Sequence, residues 1–415
     1  MPGRARLALA LLAASAITAA PLTNAWAQRV AGGRPDPATE AGGLWGQSDK
    51  AEAVARTKAE LNKDPALTGY VRGVACKVAA DYCGDIRVYV MDRPFFNAAM
   101  APNGYMEVWS GLLLRARDEA ELAFVLGHET SHFAHDHSLM AWRAAKVRAN
   151  TAMAISAVIM VAGAAAGAQA SSPSSAQSVM DAASALSDVV YLAALASLFS
   201  FSREQESEAD RLGFERATAA GYDPAAAAAL WRSLVAETAA SDFEKTRRQA
   251  TTASIFATHP LSTERIAALD ARARAGGAEG DAGRARYRAA IRPHLTAWLR
   301  DDLRRRDYGE TLHLIARLAE DGEDLGVLKF HEGEVYRRRR GEGDQDRALA
   351  AYIAASANAD APVAAWREVG DLQVRAGAPD KARAAYETYL AKAPDAQDRW
   401  IVEASLKKLT GTSGS

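Results

Sequence analysis

Residues 118–132 read Asp-Glu-Ala-Glu-Leu-Ala-Phe-Val-Leu-Gly-His-Glu-Thr-Ser-His, and this stretch decides both the local fold and the chemistry of the chain. It opens with the pattern of a capping box, an acid at the N-cap and a glutamate three residues later, and apolar residues follow. The pattern predicts a helix that begins at Asp118 and runs beyond Trp142. Because residues four apart share one face of a helix, His128 and His132 can bind the same ion.

The glutamate between the two histidines adds the second part of this chemistry. Glu129 is rotated away from the shared histidine face, yet it lies close enough to hold a metal-bound water. Zinc lowers the pKa of such a water toward about 7, and a neighbouring carboxylate accepts its proton. The motif is short enough to occur by accident, so a second signal is needed.

That second signal is the acidic segment Ser202–Arg211, which follows an apolar stretch. A catalytic zinc ion needs a third protein ligand and one open position. Glu206 and Asp210 are four residues apart and share a helical face, so Glu206 can bind the metal while Asp210 accepts the free ring N–H of a ligand histidine. The alternative is an exposed charged helix stabilised by pairs of opposite charge.

H-E-x-x-H, then a hydrophobic segment, then E-x-x-A-D resembles the pattern of the CAAX-prenyl-protease and HtpX-like zinc peptidases, metallopeptidase family forty-eight. In that family the first glutamate of E-x-x-A-D is the third ligand, which selects Glu206 over Glu204 and Glu208. The resemblance implies a zincin-like metallopeptidase domain over residues 45–275, one Zn²⁺ per chain, and hydrolysis of peptide bonds. His137 also matches a common family position, and no ligand role is assigned to it.

One branch of the family is matched further. Thr258–Ile266 is similar to the T-H-P-x-x-x-x-R-I segment of periplasmic, repeat-bearing peptidases typified by the beta-barrel assembly-enhancing protease. In that branch the histidine approaches zinc as a reversible fourth ligand, so His259 is a candidate switch; the alternative is a histidine that merely begins a helix. Asn97–Tyr105 resembles the family's edge strand, which aligns extended substrate, although Ala99-Met100 departs from the usual N-A-F-A.

Strand signals are few, and the composition favours helices. Residues 85–92 alternate with period two, and Tyr105–Trp109 follows the turn signal Asn103-Gly104, so the two segments predict a small antiparallel sheet. Alanine is abundant and aromatic residues make up only 7% of the chain, which favours a mainly α protein of α+β class.

A repeat marks the C-terminal third. Arg347–Tyr352 recurs as Lys381–Tyr386 at the tetratricopeptide offset of 34, and Trp366 with Gly370 matches the start of such a repeat. A TPR-like α-solenoid is therefore predicted over residues 285–410; generic helical hairpins are the alternative. Stacked hairpins form a concave surface for protein partners, and the resemblance implies that these are outer-membrane proteins or their assembly machinery.

The N-terminus predicts export. Residues 1–27 combine two early arginines, a short apolar run and an Ala25-Trp26-Ala27 cleavage site, and a flexible lead-in follows over 28–44. This predicts a periplasmic protein, with an uncleaved anchor as the alternative. Residues 152–201 contain two apolar stretches that predict a helical hairpin packed on the protein or in peripheral contact with the membrane, the alternative being two membrane spans.

The spacing of the two cysteines limits how they can form a disulfide, and the net charge and missing motifs exclude some classes of function. Cys76 and Cys83 would lie about 10 Å apart on one straight helix, too far for a disulfide. The predicted disulfide therefore requires a helix end between them, which Asp81–Asp85 supplies.

The net charge of −1 predicts no nucleic-acid partner, and neither a G-x-S-x-G elbow nor a P-loop motif occurs.

Three functional hypotheses follow from these patterns. The first is a periplasmic zinc metalloendopeptidase in envelope protein quality control that hydrolyses misfolded or stalled outer-membrane proteins. The second is a chaperone or assembly scaffold with a latent zinc site, closed by His259. The third is a membrane-embedded quality-control peptidase that uses residues 152–201 as spans.

Overall fold

The computed structural model describes residues 29–147, 201–249, 262–276 and 279–411, with isolated residues 150, 172, 177 and 180. The predicted signal segment 1–27, nearly all of the apolar segment 152–201, and His259 lie outside the described residues, so the interpretations of these parts stay predictions. Within the described residues, no helix is both long enough and apolar enough to cross a membrane.

Helices dominate the described residues, which confirms the mainly α fold. The α-helices are Glu40–Ala55, Pro65–Val78, Ser110–Arg115, Glu119–Ala134, residues 137–147, Arg203–Ala219, Ala226–Ala239, Glu244–Gln249, Thr263–Gly276, Arg284–Ile291, Leu295–Asp302, Tyr308–Leu318, Leu325–Arg339, Asp344–Ser356, Ala364–Arg375, Pro379–Lys392 and Arg399–Gly411. Short 3-10 helices occur at Ala80–Tyr82, Arg292–His294 and Leu303–Arg305.

The sheet is mixed, so the prediction of an antiparallel sheet is wrong. Its strands are β1 (Arg87–Met91), β2 (Ala98–Met100) and β3 (Tyr105–Trp109), in the spatial order β1-β3-β2. β1 runs parallel to β3, and β2 runs antiparallel to it. Alternation with period two shows that a strand forms and which face is buried, but not its direction. The Asn103-Gly104 turn joins β3 to the short β2, which the alternation had not identified.

The helix Glu119–Ala134 forms as its N-terminal sequence predicts. The Glu121 N–H donates to the Asp118 carboxylate at 3.0 Å, and the Arg117 N–H donates to the Glu121 carboxylate at 2.7 Å. The pattern predicted one helix that continues beyond Trp142, and this prediction is wrong. The helix ends at Ala134, the chain turns at Asp136, which has φ of 51°, and a new helix begins at residue 137.

The two cysteines also meet as predicted. Their Cα atoms are 4.6 Å apart and their sulfur atoms lie within bonding distance. The helix Pro65–Val78 ends between them and a 3-10 turn follows, which brings Cys83 back toward Cys76. The helix end that the spacing required therefore exists, and it lies a few residues earlier than expected.

One apolar core joins most of the molecule. It runs from Leu67 through the sheet and the helix Glu119–Ala134 to residues after 285, including Trp298, Leu314 and Val335. Two smaller clusters lie in the last helices, around Tyr352 and Tyr386. Packing is thus continuous across residue 285, where the sequence pattern placed the start of the repeats; that division stays a prediction.

The last helices repeat one packing contact. A Cβ atom added at Gly333 would lie 2.5 Å from the Tyr352 ring, and one added at Gly370 would lie 2.4 Å from the Tyr386 ring. Each tyrosine hydroxyl donates to the acidic residue after its glycine, Glu334 at 2.7 Å in the first pair and Asp371 at 2.6 Å in the second. Two successive helical hairpins therefore share the same internal contact.

Candidate metal centre

Two helices form the centre and they pack with very little separation. The helix Glu119–Ala134, called here the histidine helix, lies against Arg203–Ala219, called here the acidic helix. A Cβ atom added at Gly213 of the acidic helix would lie 2.7 Å from the backbone nitrogen of His128. Only glycine fits at this position, because the atom that it faces is backbone and cannot rotate away.

Three predicted ligand side chains converge between these helices. His128 Nε2 and His132 Nε2 are 3.1 Å apart, and the Glu206 carboxylate oxygens lie 3.7 and 3.6 Å from them. His128, His132 and Glu206 are 3%, 1% and 0% exposed. A tetrahedral zinc ion with bonds of about 2.0–2.2 Å separates its ligand atoms by about 3.3–3.6 Å. Each observed distance lies within about 0.2 Å of this range, so the triangle fits such an ion.

The charge of the buried site also fits a divalent cation. Glu129, Glu206 and Asp210 are buried carboxylates, and Arg265 is the buried cation beside them. When all four are ionised, three negative charges and one positive charge leave a net of two negative charges. Buried charge is costly unless it is compensated, and one divalent cation at the ligand triangle would supply the missing two positive charges.

Asp210 fixes the ring of His128 and is itself held by Arg265. The distance from His128 Nδ1 to Asp210 Oδ1 is 3.1 Å. Arg265 donates to Asp210 from Nε at 2.6 Å and from Nη2 at 2.8 Å, and its Nη1 lies 2.8 Å from Glu206 Oε2. Burial opposes ionisation of Asp210, but the hydrogen bonds from Arg265 and His128 prevail and lower its pKa to about 2. Asp210 therefore stays an acceptor for the His128 ring.

His132 is held by other groups. Its Nδ1 lies 2.9 Å from Nδ1 of the buried His137. The Phe201 ring stacks on its face, with 3.9 Å between the ring centroids and 21° between the planes. The His132 ring is therefore held at Nδ1 and on one face, whereas the His128 ring is held at Nδ1 by Asp210.

The structure distinguishes among the acidic residues as the family resemblance implied. Glu206 points into the ligand triangle, while Glu204 is exposed and Glu208 is partly exposed. Asp210 contacts His128 as predicted. Glu129 is buried on the histidine helix beside His128, and its role as a base stays a prediction.

The sequence patterns predict no role for Arg265, Phe201 or Glu208. The sequence did contain a signal for Arg265, because it is the arginine of the Thr258–Ile266 segment that resembles a family motif. Phe201 and Glu208 carry no sequence signal of their own; only the fold brings them to the histidines.

The edge strand lies beside the centre. β2 packs against the histidine helix, and its inner edge pairs with β3. Among the described residues no strand pairs with its outer edge. Ala98 and Met100 are buried and Ala99 is exposed, so the backbone of β2 is bordered by small or inward-pointing side chains.

Comparison with known proteins agrees with this geometry. The model of peptidase family M48 matches residues 62–273. The mitochondrial metalloendopeptidase OMA1 of Schizosaccharomyces pombe is 32% identical over 184 residues, which are 44% of this chain and 45% of that protein. The putative beta-barrel assembly-enhancing protease of Vibrio cholerae is 27% identical over 228 residues, 53% of this chain and 41% of that protein.

The beta-barrel assembly-enhancing protease of Escherichia coli O157:H7 is similar to the same extent, 26% identical over 226 residues. The chain spans less than half the length of these curated relatives. The matched family region contains the histidine helix, the acidic helix and Arg265.

Proposed function

Because the chain belongs to peptidase family M48, we propose that it is a zinc metalloendopeptidase whose metal is held by His128, His132 and Glu206, with Glu129 as the catalytic base. The observation that carries this proposal is the buried triangle of ligand atoms, all within 4.8 Å of one another. Two histidines and one glutamate are a known ligand set for catalytic zinc, with a fourth position left for water.

The residues of the chain divide the work of peptide hydrolysis. When bound, zinc would polarise the scissile carbonyl and acidify the attacking water. Glu129 takes the proton of that water and returns it to the leaving amine. Asp210 and Arg265 keep the His128 ring in one orientation, and the outer edge of β2 offers main-chain groups that can align an extended substrate.

The test compares Glu129→Gln with the wild type for bound zinc and for casein hydrolysis. The variant should retain zinc and lose proteolysis, because the amide keeps the shape of the side chain but cannot accept the proton. Glu204→Gln is the matched control, since it removes an exposed carboxylate from the acidic helix. Full activity in Glu129→Gln would exclude Glu129 as the base, and a wild type without zinc would refute the whole assignment.

The compartment is proposed to be the periplasm, with a role in envelope protein quality control. The leader-like residues 1–27 and the Cys76–Cys83 pair at bonding distance support export to an oxidising compartment, where we expect the disulfide to form. The names of the Vibrio and Escherichia relatives support clients among β-barrel outer-membrane proteins. Peripheral membrane contact through residues 152–201 stays part of this proposal.

The last helices are proposed to dock these clients as TPR-like repeats, which the duplicated glycine–tyrosine contact supports. They enclose a groove of about 790 Å³. Arg337 and Arg367 in its wall are paired with Glu368, whereas Arg340 and Arg375 form no ion pair within the described part of the chain. These two arginines fit an acidic, extended segment of a client.

The double variant Arg340→Glu/Arg375→Glu tests the groove. It should bind a fluorescent acidic peptide at least about 10-fold more weakly than the wild type, because each reversal replaces an attraction with a repulsion. Arg304→Glu, an exposed arginine outside the groove, is the control. Equal binding by the double variant, or preference of the wild type for a basic peptide, would refute the proposed partner chemistry.

His259 stays a proposal that rests on the family resemblance. If it closes the site, His259→Ala should raise self-cleavage and casein hydrolysis. Unchanged inactivity in that variant would instead favour the scaffold with a latent zinc site.

A further inference from the structure

The environment of His132 contains a chain of contacts that none of the predicted roles uses. His132 Nε2 faces the ligand triangle, 3.6 Å from Glu206 Oε1. Its other ring nitrogen, Nδ1, lies 2.9 Å from His137 Nδ1, and His137 Nε2 lies 3.3 Å from Glu208 Oε2. His137 is fully buried. The contacts therefore run in line from the triangle through two imidazoles to one carboxylate.

The protons along this chain can be assigned without conflict. A neutral histidine that offers Nε2 to a metal carries its proton on Nδ1. His132 then donates from Nδ1 to Nδ1 of neutral His137. His137 in turn carries its proton on Nε2, which faces the Glu208 carboxylate. Each group has one role, and no two donors face each other.

His137 acts through His132 and is not a fourth ligand. It contacts the Nδ1 side of the His132 ring, whereas the ligand triangle lies on the Nε2 side. The imidazole ring stands between His137 and the place of the ion. Residues that hold the far nitrogen of a metal-binding histidine fix its tautomer and orientation.

The break after the histidine helix makes this contact. On a continuous helix, residue 137 would lie about 140° around the axis from His132 and would point elsewhere. The break at His135 and Asp136, where Asp136 has φ of 51°, redirects the chain. Gln205 of the acidic helix donates to the His137 carbonyl at 3.4 Å, so the acidic helix holds both the backbone and the side chain of His137.

Each of the two predicted ligand histidines is therefore held at its Nδ1 atom, but by a different kind of group. His128 donates directly to a carboxylate, Asp210, which Arg265 anchors. His132 contacts a neutral ring, which Glu208 anchors. We propose that His137 is a positioning residue which, held by Glu208, fixes the ring of His132 and thereby sets the affinity of the centre for zinc. This inference rests on the proposed function.

The experiment measures zinc affinity by competition with a chromophoric chelator, and the visible spectrum of the Co²⁺-substituted protein. His137→Leu and Glu208→Ala should bind zinc about 10–100-fold more weakly than the wild type, with shifted Co²⁺ bands. His137→Gln should recover part of the affinity, because its amide oxygen can accept from His132. A residue that only filled space would give neither the recovery nor the spectral shift.

Glu204→Ala is the matched control, because it removes an exposed carboxylate from the first turn of the same helix and should leave both readouts unchanged. If metal-free His137→Leu does not fold, Glu208→Ala decides, since the Glu208 side chain is 25% exposed and its truncation should cost little stability. Wild-type affinity and spectrum in both Glu208→Ala and His137→Gln would overturn the inference. A wild type that binds no zinc would contradict the proposed function itself, which separates the two failures.

Discussion

Two pairs of packed helices, one at the metal centre and one near the C-terminus, both depend on a glycine, but they use it differently. At the centre, Gly213 lets two backbones touch, so that His128 meets Glu206 although 78 residues separate them in sequence. In the last helices, Gly370 receives the ring of Tyr386, only 16 residues away. The first contact builds a site from distant segments, and the second stabilises one local hairpin.

The two regions therefore differ in how far apart in sequence the residues that determine their contacts lie. The C-terminal hairpins repeat a short pattern, so their contacts follow from nearby residues. The centre depends on the register of two helices that meet only in the folded chain, so a small shift there separates ligands without unfolding anything. Three predictions test this contrast, beginning with an ion cluster that links the metallopeptidase region to the first helices after residue 285.

The largest effect is expected at Arg115, which joins the metallopeptidase region to the later helices. Arg115 is buried and donates to Glu237 at 2.7 Å and to Asp302 at 2.7 Å. Arg115→Leu should lower the free energy of unfolding by about 3–5 kcal/mol, because it leaves buried carboxylates without their cation. Chemical denaturation, followed at separate probes in the two regions, measures the loss.

The matched control for Arg115 is Arg232→Leu, which removes an exposed ion pair with Asp270 from the helix that carries Glu237. That variant should lose no more than about 1 kcal/mol. Adding Glu237→Gln to Arg115→Leu should recover part of the stability. If the later helices keep their wild-type denaturation midpoint in Arg115→Leu, the two regions unfold independently, although one apolar core runs through both.

The second prediction compares Gly213→Ala with Gly370→Ala. Each adds one methyl group where no space exists, so each should destabilise the protein by about 1–3 kcal/mol. Only Gly213→Ala should also weaken zinc binding, by about 100-fold, because it pushes the acidic helix away from His128. Gly370→Ala should bind zinc normally, since the Tyr386 ring lies in another cluster.

Gly69→Ala is the control for both glycines, because a Cβ atom at this helical position meets nothing within 4 Å. It should be neutral or slightly stabilising, as alanine is the better helix former. Equal loss of zinc affinity in Gly213→Ala and Gly370→Ala would show that the centre senses general stability and not the separation of its two helices.

The same contrast explains how much of the protein could be predicted from the sequence. The histidine helix and the buried cluster of His128, His132 and Glu206 followed from residue spacing and family resemblance, because periodicity and capping are local properties. The direction of β1 relative to β3 did not follow, because strand direction depends on the path of the connecting chain. The alternation also missed β2, which only the family resemblance of Asn97–Tyr105 indicated.

The groups that hold the ligands were predicted only in part. Asp210 is four residues from Glu206, so helical geometry located it. His137, Glu208 and Arg265 reach the centre through a helix break and through packing between distant segments. No spacing rule encodes such contacts, since a one-residue change in register would remove them while the motifs stayed the same.

The smallest effect is expected from pH, and the two regions should respond in opposite directions. Burial, with the nearby charge of Asp118, raises the pKa of Glu121 on the histidine helix to about 7. Burial disfavours the charged form of Glu334 in the last helices as well, but hydrogen bonds from Arg337 and Tyr352 prevail and lower its pKa to about 2. Each carboxyl titrates near 4.5 when unfolded.

The sign of each contribution follows from these values. Glu121 binds its proton more tightly in the folded state, so its contribution is complete below pH 4.5 and is lost as the pH rises through 7. Unfolding free energy should therefore fall by about 1 kcal/mol between pH 6 and 8, and Glu121→Gln should remove this slope. Glu334→Gln should cost stability at neutral pH, and the cost should fade as the pH falls below 4.5 toward 2. A slope of wild-type size that persists in Glu121→Gln would show that another group causes it, and the predicted difference in pH dependence between the histidine helix and the last helices would be wrong.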